Sequence, residues 1–151
     1  MDDTDRKILA LLTDDARRTY DDVARRVSLS APAVKRRVDR LRSDGTLRGF
    51  TAVVDHAALG YATEALVELF YGTGIQLAEV AASLRARPEV VEAWSVTGEA
   101  DAIARVRTRD NADLERLIID LQRDGAVVRT RSQVVLSRLV LRRGEDDAGE
   151  V

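Results

Sequence analysis

Apolar residues in the first 50 positions recur at helical spacing, in three short runs separated by polar breaks. Ile8, Leu9, Leu11 and Leu12 follow an acidic start that suits the positive end of a helix dipole, and the spacing predicts a helix over about 3–13. Thr19 with Asp22 three residues on has the form of a capping box, behind which Tyr20, Val23, Ala24 and Val27 make a short apolar stripe. Ser30 suits an N-cap, Pro32 a first turn where a missing N–H costs little, and Gly45 a C-terminal stop, so a third helix is expected over about 31–44. The β-branched and alternating residues of 46–54 predict an extended segment, a wing or linker strand.

Beyond Gly60 the pattern changes to strands alternating with helices. Ala65, Val67, Leu69 and Tyr71 alternate as a half-buried strand, and Leu77, Val80, Ala81 and Leu84 then make a helical face that Pro88 ends. Segments 90–97 and 102–108 predict two strands joined through Gly98-Glu99-Ala100-Asp101. Leu114, Leu117, Ile118 and Leu121 supply a second helical stripe behind Asp110 and Asn111, and 127–140 predicts a long closing strand. The order β-α-β-β-α-β is the ferredoxin-like arrangement, an antiparallel four-stranded sheet with helices on one face only. Its other face would carry Leu66, Phe70 and Trp94, which is too apolar for solvent and calls for a second copy. The expected fold is therefore α+β: a winged helix-turn-helix over 1–50, a linker over 51–61, a ferredoxin-like domain over 62–143 and an acidic, disordered tail over 144–151.

Composition narrows the function classes. A hydrophobic share of 45% with 33% charged residues belongs to a folded chain rather than a disordered one. The overall charge of −2 argues against a polyanion partner until it is divided along the chain. Residues 1–50 hold 12 basic and 9 acidic side chains, a surplus of +3, whereas 51–151 hold 12 basic and 17 acidic, a balance of −5. Only the first third favours nucleic acid. Without cysteine there is no disulfide, thiolate nucleophile or cysteine-ligated metal, and His56 stands alone beside Asp55 in the hinge. No Gly-rich phosphate loop accompanies it, so an enzyme is the weaker reading and neither metal nor cofactor is expected. Glu64 and Glu68 share a strand face as ordinary surface carboxylates, and Trp94 reads as a core or interface anchor. The acidic start is unlike a signal peptide and no apolar run approaches 18 residues, so a cytoplasmic protein without membrane contact is expected.

The third helix carries the most specific chemistry. At about 100° per residue, Val34, Val38 and Leu41 point inward, Pro32, Ala33, Arg36, Asp39 and Arg40 outward, with Lys35, Arg37 and Arg42 on the flanks. Small residues at its start can approach base edges, and the guanidinium forks that follow can take guanine or phosphate in duplex DNA.

The segments Asp2-Asp3-Thr4-Asp5-Arg6-Lys7-Ile8-Leu9, Val27-Ser28-Leu29-Ser30 through Val34-Lys35-Arg36-Arg37-Val38-Asp39-Arg40-Leu41, and Gly49-Phe50-Thr51-Ala52-Val53-Val54-Asp55 resemble the N-terminal half of Lrp/AsnC, or feast/famine, regulators. Leu59-Gly60-Tyr61, Thr97-Gly98-Glu99-Ala100-Asp101 and Val128-Arg129-Thr130-Arg131-Ser132 resemble that family's hinge, sensor loop and last strand. The resemblance implies a DNA-binding transcriptional regulator whose dimers assemble into tetramers or octamers and whose effector is an amino acid or related small molecule. It places Ser30, Ala33, Lys35, Arg36, Arg37 and Arg40 in or beside the DNA-reading helix. Arg37 sits near the buried edge, which leaves open a phosphate contact or an internal pair with an N-terminal Asp. The effector is implied at Gly98, Glu99, Ala100 and Asp101, with the hydroxyls of Thr130 and Ser132 turned toward that loop. Gly98 and Asp101 also fit a tight turn alone. Ala100 stands where many members carry an aromatic residue, so an architectural DNA-binding protein without effector is the other reading.

Overall fold

The computed structural model describes residues 1–140. Two compact units emerge, Met1–Val53 and Val54–Val140. The expected tail over 144–151 lies outside the described residues.

The first unit is built from α1 (Asp3–Asp14), α2 (Tyr20–Val27) and α3 (Ala31–Ser43). Each helix starts where a side chain satisfies an orphan N–H: Asp2 accepts from the Asp5 amide, Thr19 from Asp22 and Ser30 from Ala33. The break between α2 and α3 turns on Ser28, whose φ of 55° is left-handed and ends α2 with its amide on Ala24 O. Ile8, Leu12, Val23, Ala24, Val34 and Val38 close the core, with Leu47 and Tyr20 packed against it. Residues 46–54 form no strand, contrary to the expected wing. A strand needs a ladder partner, and this segment, with Phe50 49% and Val53 68% exposed, has none among the described residues.

In the second unit, β1 (Thr63–Tyr71), α4 (Leu77–Arg85), β2 (Val90–Ser95), β3 (Ala102–Thr108), α5 (Asn111–Arg123) and β4 (Val127–Val134) follow the expected order. The strands are antiparallel and lie in the order β2-β3-β1-β4. Ala65, Val67, Leu69, Ala104, Val106 and Val127 meet Val80, Leu84, Leu114, Leu117 and Leu121 of the helices in one core. Leu77, expected on that face, is exposed instead. The last strand stops at Val134 rather than running to 140, because β1 has almost no backbone left to bond: Ala65 pairs with Val134, and the Val135 amide donates to Glu64 O. Leu136, Leu139 and Val140 beyond it are exposed.

The helix-free face of the sheet corrects another expectation. Leu66 and Phe70 do lie there, but among charges. Glu64 receives Arg107 Nε at 3.1 Å, Glu68 receives Arg131 Nε at 2.6 Å, and Arg105 lies 3.6 Å from Glu92. Arg129 stacks 3.7 Å above the Phe70 ring, a cation–π contact that leaves Phe70 buried. Glu64 and Glu68, read as ordinary surface carboxylates, are therefore rungs of an ion-pair ladder.

Candidate functional site

The helical wheel of α3 holds in three dimensions. Val34, Val38 and Leu41 are buried while Pro32, Lys35, Arg36, Asp39, Arg40 and Arg42 are exposed. Ser30 caps the helix through its hydroxyl, and Ala33 is half-buried in the first turn. Lys35 Nζ reaches Asp39 at 2.6 Å, one turn along. Among the described residues neither Arg36 nor Arg42 has an ion-pair partner, and Arg36 is the one that lies mid-helix on this exposed face.

Arg37 and Arg40 are arranged differently. Arg37 Nη1 donates to Asp2 and to Asp5, each at 2.7 Å, so the internal pair is formed. Arg40, expected to point freely outward, donates from Nη2 to Asp5 Oδ2 at 2.7 Å. Asp5 is 1% exposed and is aligned with Ile8 and Leu12 on the inner stripe of α1. That spacing was the available signal: an acidic residue on an apolar stripe must be paired if it stays charged. Its carboxyl is held below the usual range by the Asp2 hydrogen bond and by Arg37. Arg37, with the Asp5 amide, holds Asp2 down to about 2 from the ordinary 3.8.

These depressed values predict an acid limit for the first unit. Carboxylates that ionise more readily when folded stabilise the fold above the unfolded value near 3.8, and that stabilisation disappears as pH falls toward about 2. Asp2→Asn is therefore expected to lower the urea midpoint at pH 6. The difference from the parent should shrink steadily below pH 4. A difference that stays constant from pH 6 to pH 2.5 would show that the Asp2 charge contributes nothing.

In the second unit, the loop joining β2 to β3 is fixed by Asp101. Its amide donates to Leu69 O at 3.0 Å, its Oδ2 accepts from the Tyr71 amide at 2.8 Å, and its carbonyl accepts from Val96 at 3.2 Å. Gly98 has φ of +129°, a backbone region that side chains strain, with open space where a Cβ would stand. Ala100 is buried and Glu99 reaches Arg129 (3.5 Å) and Arg131 (3.6 Å). Thr130 and Ser132 do not meet this loop in the single chain. They pair with Leu69 and Val67, which face the helices, and the Thr130 hydroxyl accepts from Gln122 of α5 at 3.2 Å. The strand alternation that puts Arg129 and Arg131 on the loop side turns the two hydroxyls away. Beside the loop a groove of about 260 Å³ opens between α4 and β2, lined by Val80, Leu84, Arg85, Val90 and Trp94 and bordered by Ser95 and Ala102. Among the described residues no group of three or more His, Cys, Asp or Glu could hold a metal, and no helix is long and apolar enough to cross a membrane.

Two family models match the chain: an AsnC-type helix-turn-helix domain over residues 1–42 and an Lrp/AsnC ligand binding domain over residues 64–145. The HTH-type transcriptional regulator Rv2324 of Mycobacterium tuberculosis is 46% identical over 140 residues, covering 93% of this chain and 95% of its own. The leucine-responsive regulatory protein of Rhizobium meliloti is 37% identical over 122 residues, 80% of this chain and 78% of its own. Among solved structures, Escherichia coli AsnC matches with a TM-score of 0.89 at 25% identity, over 94% of this chain and 96% of its own. The feast or famine regulatory protein Rv3291c of M. tuberculosis, complexed with L-methionine, matches with a TM-score of 0.88 at 33% identity, over 94% and 96%. Both units, in order and nearly end to end, thus have counterparts in one group of proteins, and this chain belongs to the Lrp/AsnC family of transcriptional regulators.

Proposed function

We propose that α3 is the DNA-reading helix of this regulator and that the 97–101 loop responds to an amino acid. The observation that carries the first part is Arg36, exposed and without an ion-pair partner among the described residues, on a helix whose opposite stripe is fully buried. Ser30 and Ala33 would lie nearest the bases and Lys35 and Arg40 beside the phosphates. Arg37, held by Asp2 and Asp5, supports the domain instead of the contact.

Arg36→Ala is expected to leave thermal stability within about 0.5 kcal/mol and to weaken DNA binding by about 1–3 kcal/mol. A loss concentrated at one base position indicates a guanine contact, whereas a uniform loss with a salt slope lower by about one indicates phosphate. Gel-shift titrations at two salt concentrations, with a selected and a scrambled duplex, distinguish these. Binding equal to wild type at every salt would remove α3 as the reader.

For the second part, the groove beside Ser95 and Ala102 can take an apolar side chain, and a relative in this fold is described with L-methionine bound. A thermal-shift screen of the common amino acids tests it, because a ligand that binds only the folded state raises Tm. An architectural protein without effector is favoured by the small, buried Ala100, and a screen with no shift at any amino acid would support that reading. The charge ladder on the sheet has both signs in alternating strands, which suits a second copy related by a two-fold axis, and larger homo-oligomers would build on that dimer.

A further inference from the structure

α3 is fastened to the first turn of α1 by a carboxylate that uses both of its oxygens. Asp5 Oδ1 accepts from Arg37 and Oδ2 from Arg40, each at 2.7 Å, while Oδ2 also takes the Asp2 amide at 2.9 Å. The two arginines differ in what they have left. Arg37 is 27% exposed and already serves two carboxylates. Arg40 is 56% exposed and makes its one side-chain hydrogen bond through Nη2 to Asp5, so its Nε and Nη1 donors have no partner among the described residues. An arginine gripped at one end by a buried acid has a fixed orientation, and the entropy of ordering it is spent before any partner arrives.

We propose that Asp5 is a positioning residue for DNA binding that acts through Arg40, aiming the solvent-facing edge of its guanidinium at a backbone phosphate. The proposal rests on the reading of α3 as the DNA-reading helix. It runs against the simplest electrostatic expectation. Removing a negative charge beside a polyanion site should tighten binding through charge alone. An aiming role gives the opposite sign.

The experiment uses the full chain and a duplex that the wild-type protein selects from a random-sequence pool. Asp5→Asn is expected to bind that duplex about tenfold more weakly, and equal or tighter binding overturns the proposal. Arg40→Gln completes a cycle. It should cost about tenfold in the wild-type background and less than about twofold once Asp5 is Asn, because the aimed contact is already lost. An equal cost in both backgrounds shows that Asp5 supports the fold and not Arg40, and overturns it. Should Asp5→Asn lose helical circular dichroism, Arg40→Lys decides instead, since it leaves Asp2, Asp5 and Arg37 in place and keeps the charge. It is expected to bind about tenfold more weakly, and wild-type affinity overturns the proposal. Arg36→Ala separates the two layers. If it binds like wild type, the reading of α3 has failed, whereas a weak Arg36→Ala beside an unaffected Asp5→Asn removes the aiming role alone.

Discussion

Ile8→Ala is expected to unfold the helix-turn-helix and abolish DNA binding. Ile8 is fully buried at the meeting of α1 with Val23, Val34 and Val38. Removing most of such a side chain costs about 2–5 kcal/mol, in lost transfer energy and in the cavity left behind. A unit of this size has little reserve, since a core below about 70 residues rarely supplies more than about 3–5 kcal/mol. Loss of amide-exchange protection in α1 to α3, with protection of β1 and β3 retained, is the expected signature. Full protection in α3 would mean that the other core residues suffice without Ile8.

The elements were legible because local signals and burial agree. The caps at Thr19 and Ser30, the stripe Val34, Val38 and Leu41, and the alternation of Ala65, Val67 and Leu69 all occupy the places that their spacing predicts. What escaped was set by partners distant in sequence. Whether Arg40 is free depends on Asp5, 35 residues away, and whether Glu68 is a plain surface group depends on Arg131, 63 residues away. Strand length at 127–140 failed for a similar reason, because a closing strand is only as long as the neighbour it pairs with. The direction of Thr130 and Ser132 follows from register with β1, which periodicity within β4 cannot supply.

That register makes the two faces of β1 separable by experiment. Leu69 is fully buried on the helix-covered side, paired across the sheet with Ala102 and Thr130. Leu69→Ala is expected to cost about 2–5 kcal/mol, a large share of the roughly 5–15 kcal/mol that holds a domain folded. The loss should appear as the same fall in Tm at every protein concentration, because the helices that cover Leu69 belong to its own chain. Leu66 is half-buried on the other face, among Arg105, Gln133 and the charge ladder. If a second copy covers that face, Leu66→Ala weakens association more than folding, and its Tm deficit shrinks as the protein is diluted toward concentrations at which both proteins are monomeric. Sedimentation of both variants over a hundredfold range of concentration tests the contrast. A Leu66→Ala deficit independent of concentration, with the oligomer intact, would place the second copy elsewhere on the molecule.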